Sequence, residues 1–348
     1  MKKSILVLIL TVLLVFSGCG ISNPNQDESK INTNTTVPAT TEFKAIEKIN
    51  HYVLNTDVQK CASSKVKKIY KKLVDAVYKR QEKIYLSKSY DDNLYALIIL
   101  RSNPAYFVVK ETSFFNNHQS IKMYYKYKKP EHDDILDFMD EEYLNILNEI
   151  IMPEANELDK VLAVYRYFSS RIEYDYDWLD GLNTTDEKYL YPDISVYKAL
   201  KTNKGVCHSY SYLCHYAYQQ LGINSFCVTG DMLDGSGEHM WLLVEIYGKY
   251  YHIDPAWDRG EDEQVGLRYF GLTDEERAND LTIDYYIEID TNFGEVSCTD
   301  TAFSEFHGSD EFGNPDIMDF VFDTKGRMLV TKSHGKDVWF NTDTLKFE

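Results

Sequence analysis

The sequence has few positive charges, almost no long apolar segment and no paired framework among its six cysteines. Of its 348 residues, 37 are Lys or Arg and 55 are Asp or Glu, which gives a formal net charge of -18. Removal of Lys2 and Lys3 with an N-terminal signal would make the charge -20. Nucleic acids and other anionic polymers are bound through a basic footprint, so this balance argues against them as partners.

Long apolar runs are absent except at the N-terminus. Two lysines precede the almost unbroken run Ser4–Phe16, and two small residues then lead to Cys19. The run is too short for a stable membrane span and indicates a secretory signal. It resembles the lipobox of bacterial lipoproteins, although Phe16 replaces the usual leucine. We therefore expect export and a lipid anchor at Cys19 on the outer face of the cytoplasmic membrane. A plain cleaved signal with an incidental cysteine is the alternative.

The composition changes along the chain and suggests domain borders. Residues 20–44 are rich in Asn, Thr, Ser, Pro and Gln. Such a segment buries too little to offset its ordering entropy, which indicates a flexible tether. We predict a signal peptide at 1–18, a tether at 19–45, an N-terminal α+β support domain at 46–155, a second domain at 156–290 and a β-rich extension at 291–348.

The cysteines show no paired framework. Apart from Cys19, five remain: Cys61, Cys207, Cys214, Cys227 and Cys298. Five is an odd number, and an odd cysteine in an exported protein points to a free reactive thiol. A Cys61–Cys298 or a Cys214–Cys227 bridge remains open.

The spacing of apolar residues predicts an α+β fold. Helical spacing recurs in three segments, namely 66–77 behind a cap at Ser63 or Ser64, 135–152 and 158–172. Residues 121–127 alternate as in a half-buried strand. The aromatic and acidic segment 173–191 is typical of a surface loop. Two strand-like pieces flank the turn at residues 324–326, and this C-terminal region carries no recognisable chemistry.

Cys207 lies at a predicted helix start. It follows Gly205-Val206, and the predicted helix ends at Gly222. At a helix N-terminus, the dipole and the unpaired N–H groups lower the pKa of a thiol. The same N–H groups can stabilise an oxyanion.

A predicted hairpin brings a histidine to a carboxylate. With Tyr247-Gly248 as the turn pair, Asp254 faces Trp241, and His239 is its diagonal neighbour on the same face. Diagonal neighbours lie about 7–8 Å apart at the backbone, within reach of long side chains. A cysteine, a histidine and an orienting carboxylate are the groups that nucleophilic thiol chemistry requires.

These motifs resemble the core of the transglutaminase-like superfamily. The resemblance rests on four sequence segments: Gly205-Val206-Cys207, Leu221-Gly222-Ile223, His239-Met240-Trp241 and Tyr251 to Trp257. It implies a papain-like core in which a helix carrying the cysteine packs on an antiparallel sheet. It also implies that Cys207, His239 and Asp254 are the catalytic residues, and that 156–290 is the catalytic domain.

The resemblance further implies acyl transfer through a thioester on a protein or peptide substrate, such as one associated with the cell wall. In the family a side chain upstream of the nucleophile supplies the second oxyanion donor, and Tyr174 and Tyr176 are the candidates here. Trp241 and Trp257 are candidates for the cleft wall. Nothing resembles the calcium sites of animal transglutaminases, so we expect no required metal. The sequence does not choose between cross-linking, hydrolysis and self-modification. A catalytically silent surface binding module is the alternative function.

Several other polar residues have simpler interpretations. His208, His215 and His252 could suggest a metal cluster with His239, but the ligand spacings of zinc sites are absent. His252 shares the strand face of Asp254, where packing is the simpler role. Asp258 is expected to be a solvated neighbour of the site.

Overall fold

Helices and antiparallel sheets alternate along the chain. The computed structural model describes residues 43–181, 195–260, 262–283, 285–286, 296–309 and 313–348. Residues 43–348 form one compact unit with a core that runs from Leu54 to Phe340. The expected signal, Cys19 and most of the tether lie outside the described residues. The domain borders predicted within the unit stay predictions.

The N-terminal region combines helices with a small sheet. Its elements are α1 (Thr56–Cys61), α2 (Ser64–Tyr78), β1 (Lys83–Tyr85), α3 (Tyr90–Arg101), a 3-10 helix (Pro104–Val108), β2 (Val109–Phe115) and β3 (Ser120–Tyr125). The antiparallel sheet has the order β1-β3-β2. Helix α2 begins as its sequence predicts, because the Ser63 side chain accepts a hydrogen bond from the Val66 N–H.

The remaining helices lie around a central sheet. They are α4 (Glu131–Ile150), α5 (Glu157–Arg171), α6 (Tyr176–Gly181), α7 (Val196–Thr202), α8 (Cys207–Gln220) and α9 (Asp274–Arg277). The prediction of a surface loop over 173–191 is wrong where the structure describes it. Short strands β4 (Glu173–Tyr174) and β5 (Lys204–Gly205) pair in parallel, and α6 follows β4. The polar side chains of this segment suggested a loop. The strand β4 forms because its backbone pairs with β5, which is distant in sequence.

The central sheet carries the hairpin that the sequence predicted. Its strands are β6 (Ser225–Asp231), β7 (Glu238–Ile246), β8 (Lys249–Ile253), β9 (Phe270–Leu272) and β10 (Tyr285–Tyr286). They run antiparallel in the order β10-β6-β7-β8-β9. Helix α8 packs on β6 and β7 and also contacts α5. The predicted α+β architecture, a cysteine-bearing helix on an antiparallel sheet, is confirmed.

The C-terminal region is a meander of four antiparallel strands. These are β11 (Ile317–Phe322), β12 (Met328–Lys332), β13 (Asp337–Asn341) and β14 (Lys346–Phe347). The two strands predicted around the turn at 324–326 are therefore present. A cavity of about 520 Å³ lies between this sheet and the connection from α4 to α5, and Met152, Asp159 and Trp339 are among its lining residues. No helix in the described ranges has both the length and the hydropathy to cross a bilayer.

Candidate active site

Cys207 is the first residue of α8, and its entry into the helix depends on a glycine. A Cβ atom at Gly205 would lie 2.6 Å from the Cβ of Ser209, so only glycine fits there. The Val206 N–H donates to the Ser209 hydroxyl, which fixes the first turn. Cys207 is buried and 6 % exposed. The thiol therefore lies at the positive end of a helix in a nearly enclosed position.

The hairpin has the register that its turn predicts. Tyr247 and Gly248 both have positive φ, 51° and 76°, as in a two-residue type I′ turn. The ladder pairs Leu242 with Ile253. Continuing this register by one residue puts Trp241 opposite Asp254. His239 Nε2 lies 2.7 Å from Asp254 Oδ2. Both side chains are buried.

The thiol and the imidazole form a charged pair at neutral pH. Burial opposes charge on Cys207, but hydrogen bonds with His208 and His239 outweigh it and lower the pKa of the thiol to about 6. Burial also opposes charge on His239, but Asp254 and Cys207 outweigh it and raise the pKa of the imidazole to about 9. Nε2 of His239 is engaged by Asp254, which leaves Nδ1 for the sulfur. The two pKa values belong to the coupled pair and not to either residue alone. At a pH between about 6 and about 9, the pair consists of a thiolate and an imidazolium.

A second imidazole also lies beside the sulfur. His208 Nδ1 is 3.6 Å from Cys207 Sγ. His208 follows Cys207 directly in α8 and is half-buried.

The structure separates the two tyrosine candidates. Strands β4 and β5 pair Tyr174 with Gly205, two residues before Cys207. The Tyr174 hydroxyl lies within hydrogen-bonding reach of the Cys207 backbone N–H and thiol, and burial raises its pKa so that it stays a donor. Tyr176 is 64 % exposed and packs on the Tyr174 ring with centroids 4.9 Å apart. Of the two tyrosines, Tyr174 is therefore the one that the strand pairing places next to Cys207.

Asp254 is held by four donors. Its Oδ1 accepts from the backbone N–H groups of Ala256 and Trp257, at 3.2 and 3.3 Å. Its Oδ2 accepts from His239 and from Arg277 Nη2, the latter at 2.8 Å. Burial alone would raise the pKa of Asp254, but these positive and donating neighbours lower it below its ordinary value. The carboxylate is therefore fixed in its charged form.

Arg277 is a member of the site that the sequence did not reveal. It lies in α9 and is fully buried. Its guanidinium carbon is 4.7 Å from the Trp241 ring centroid and 4.4 Å from that of Trp257. Its Nε and Nη1 have no hydrogen-bond partner among the described residues. Stacking on two indoles and the pair with Asp254 thus hold this cation.

The two tryptophans have different positions. Trp241 is fully buried, and its indole N–H donates to His252 Nδ1 at 2.9 Å. Trp257 is half-buried and stacks on His239 with ring centroids 4.6 Å apart. Of the two cleft-wall candidates, Trp257 therefore lies at the edge of the site and Trp241 lies in the core.

The expectation that Asp258 is solvated is wrong. Asp258 is buried, and its Oδ2 accepts from the Tyr165 hydroxyl at 2.6 Å and from the Tyr269 N–H at 2.9 Å. The Tyr165 hydroxyl also lies 2.9 Å from the Asp254 carbonyl oxygen. Burial raises the pKa of Asp258 to about 7 despite these donors. Its sequence context is polar, and the contacts with Tyr165 of α5 and with residues 266–269, which are distant in sequence, enclose it.

One group of side chains has the composition of a metal site. Among the described residues, single ligand atoms of His252, Asp274 and Cys298 lie within 4.8 Å of one another. An indole N–H can only donate, so Nδ1 of His252 accepts from Trp241. In neutral His252 the proton is then on Nε2, which lies 2.9 Å from Asp274 Oδ1. Both ring nitrogens are thus used, and the group fits a hydrogen-bond chain better than a metal site.

No disulfide joins the described cysteines, which are Cys61, Cys207, Cys214, Cys227 and Cys298. Cys214 and Cys227 are buried in the core, as expected for a helix and a strand cysteine. Neither of the two bridges left open by the sequence is formed.

Comparison with known proteins finds a family model that matches part of the chain. Residues 145–255, which include Cys207, His239 and Asp254, match the family model of the transglutaminase-like superfamily. A crystal structure of a TGase is 19% identical with a TM-score of 0.32, and the similarity covers 44% of this chain and 46% of that one. A proposed cysteine protease from Cytophaga hutchinsonii is 15% identical with a TM-score of 0.26, covering 42% and 65%. The chain thus spans less than two thirds of either protein. No curated protein matches it.

Proposed function

We propose that the protein is a cysteine acyl-transferase or hydrolase, from the premise that residues 145–255 match the model of the transglutaminase-like superfamily, which the sequence motifs predicted. It acts on a carboxamide or peptide bond of a protein or peptide through a thioester. Anchoring at the cell surface through Cys19 is part of the proposal. The observation that carries it is the buried pair of Cys207 and His239, whose pKa values are about 6 and about 9.

The first half of the reaction forms the thioester. The thiolate of Cys207 attacks the carbonyl carbon, and the carbonyl π electrons move to oxygen. As the C–N bond breaks, the imidazolium of His239 gives its proton to the leaving amine or ammonia. Asp254 keeps the imidazole oriented through Nε2, and four donors keep Asp254 charged.

The second half returns the enzyme to its starting state. An amine or water attacks the thioester carbon and gives a proton to neutral His239, and the C–S bond breaks to restore the thiolate. In both halves, the Cys207 N–H and the Tyr174 hydroxyl are the donors for the oxyanion. A lysine amine as acceptor gives a cross-link, and water gives hydrolysis.

The first test measures alkylation of Cys207 with iodoacetamide, using site-resolved mass spectrometry on the chain that begins after Cys19. We expect Cys207 to react faster than Cys61 at pH 7, and its rate to rise with pH through about 6. Only the thiolate is nucleophilic, so this rise follows its formation. His239→Ala should move the rise to higher pH, because an imidazolium that stabilises the thiolate is removed.

The control is the exposed Cys61 in the same sample, which reports the intrinsic rate of an ordinary thiol. Asp254→Ala should slow the alkylation of Cys207 near neutral pH, as His239→Ala does. If Cys207 in the folded, reduced protein labels no faster than Cys61, the proposed chemistry is wrong.

A catalytically silent binding module is the second candidate. The near closure of Cys207, 6 % exposed, is the observation that favours it. An unreactive Cys207 in a folded protein would support this function, and rapid labelling would exclude it.

A further inference from the structure

The negative net charge hides an uneven distribution. Residues 60–130 contain 16 Lys and Arg against 5 Asp and Glu. The rest of the chain has 21 Lys and Arg against 50 Asp and Glu. A protein that is acidic as a whole thus has a basic stretch at 60–130, and part of this charge lies on the exposed sides of α2 and of the small N-terminal sheet.

The outer face of the small N-terminal sheet forms half of that surface. Directly paired residues share a face, and the ladder pairs Lys83 with Lys122 and Lys122 with Ser113. The opposite face, with Ile84, Ile121 and Met123, is buried in the core. The outer face carries both lysines and three exposed rings: Tyr85, Phe115 and Tyr124, which are 62 %, 44 % and 37 % exposed.

The lysines and rings on this face lie together. Lys83 Nζ is 5.2 Å from the centroid of Tyr85, and Lys122 Nζ is 4.4 Å from that of Tyr124. Glu111 is the acidic residue on the same face, opposite Tyr124. The face therefore presents cations over exposed aromatic rings.

The lysine-rich side of α2 forms the other half. Its exposed lysines include Lys68, Lys71 and Lys72. Lys72 Nζ donates to the Tyr85 carbonyl oxygen at 2.5 Å, which joins the helix to the edge of the sheet. Lys65 and Lys79 are paired with Asp92 and Asp75. No ion-pair partner is found among the described residues for Lys68, Lys71, Lys83 or Lys122.

We propose that this basic aromatic surface, formed by the outer faces of α2 and of sheet β1-β3-β2, binds the anionic headgroups of a phospholipid bilayer. Lysines near an anionic membrane gain Coulomb attraction, and tyrosine and phenylalanine rings gain by entering the interfacial layer. A soluble polyanion would satisfy the lysines but leave the three rings in water. A bilayer covers both kinds of side chain, which favours it as the partner.

The orientation follows from the charge. The acidic remainder of the molecule is repelled from an anionic membrane, while residues 60–130 are attracted. The protein therefore lies with the N-terminal sheet toward the lipid. This contact depends on the folded surface and not on an acyl chain.

The test is sedimentation with vesicles of the chain beginning at Gly20, which lacks Cys19 and contains the whole compact unit. Vesicles of phosphatidylglycerol in phosphatidylcholine are compared with pure phosphatidylcholine, at low and at high salt. We expect binding only to the anionic vesicles and loss of binding at high salt. The variant Lys68→Gln, Lys71→Gln, Lys83→Gln and Lys122→Gln should bind at least about tenfold more weakly.

A matched control removes four exposed lysines elsewhere: Lys249→Gln, Lys325→Gln, Lys336→Gln and Lys346→Gln. It changes the net charge equally and should bind like the wild type. Equal loss in the two variants would mean that net charge, not this surface, controls binding, and would overturn the proposal.

A second variant separates a bilayer from a soluble polymer. Tyr85→Ser with Tyr124→Ser should weaken binding to the anionic vesicles but leave binding to polyphosphate unchanged. Binding to polyphosphate without binding to vesicles would assign the surface to an anionic polymer instead. Equal binding to both vesicle types, or no binding to either, would also refute the proposal.

Discussion

Arg277 illustrates at the scale of one residue how a buried charge can support the pair of His239 and Asp254. Its guanidinium donates to the same Asp254 oxygen that binds His239, and it lies between two indole rings. We infer that Arg277 is a positioning residue, since it acts on the thiol only through Asp254.

Replacement of Arg277 by Met should lower the free energy of unfolding by about 3–5 kcal/mol, because one partner of a buried ion pair is removed. Removing a positive charge also favours protonation nearby, so the pH at which alkylation of Cys207 rises should increase. Urea unfolding and the alkylation profile are the two measurements. Arg101→Met, at an exposed arginine of α3, is the control. An unchanged profile would leave Arg277 with a purely structural role.

Tyr174 and Tyr176 provide a matched pair at the same scale. Acylation of Cys207 by a p-nitrophenyl ester develops an oxyanion, whereas alkylation by iodoacetamide does not. Loss of one oxyanion donor costs about 10²–10³ in rate. Tyr174→Phe should therefore slow acylation by about that factor, and should slow alkylation much less, by the loss of one donor to the thiolate. Tyr176→Phe should affect neither, and equal slowing of both reactions by Tyr174→Phe would argue against an oxyanion role.

At the scale of elements, the connection between β8 and β9 contains a buried carboxyl, that of Asp258, which accepts hydrogen bonds from Tyr165 and from the Tyr269 N–H. Asp258 has a pKa of about 7, raised by burial, whereas in the unfolded chain the carboxyl ionises near 3.8. Between these values the folded state keeps a proton that the unfolded state loses. The stability from this group is thus complete below pH 3.8 and falls as the pH rises through about 7.

Asp258→Asn tests this linkage. Asparagine keeps an acceptor oxygen for Tyr165 and Tyr269 but cannot ionise. We expect the variant to be more stable than the wild type at pH 8 and to lose much of the decline in stability between pH 4 and 7. Chemical unfolding across this pH range is the measurement. A decline of the same size in the variant would assign it to other groups.

The contacts between elements that are distant in sequence also limit what could be predicted from the sequence. The hairpin could be predicted in register, because a strand has a period of two and the Tyr247-Gly248 turn fixes the offset. Tyr174 could not be separated from Tyr176, since the choice depends on the pairing of β4 with β5, which are thirty residues apart. Arg277 appears in a polar segment that looks exposed. The capping pattern Thr273-x-x-Glu276 could have located its helix, but not the two indoles that bury it.

At the scale of the whole molecule, anchoring and surface binding are separable. If Cys19 is lipidated, the wild type should stay with membranes at high salt, because an acyl chain is held by the hydrophobic effect and salt screens only charge. Cys19→Ser should be released by the same wash. Fractionation with mass spectrometry of the N-terminal peptide is the measurement. Release of the wild type by salt would contradict a lipid anchor.

The enclosure of Cys207 also affects its chemical lifetime. A thiolate that exists at neutral pH is the form of cysteine that peroxides convert to sulfenic acid, and the rate follows both charge and exposure. Here the charge is present, but only 6 % of the residue is exposed. Cys214, the nearest cysteine in α8, is fully buried and does not form a disulfide with it. An oxidant outside the protein therefore meets the same partial barrier as iodoacetamide or a substrate, and oxidation of Cys207 should be slower than that of an equally acidic thiol that is fully exposed.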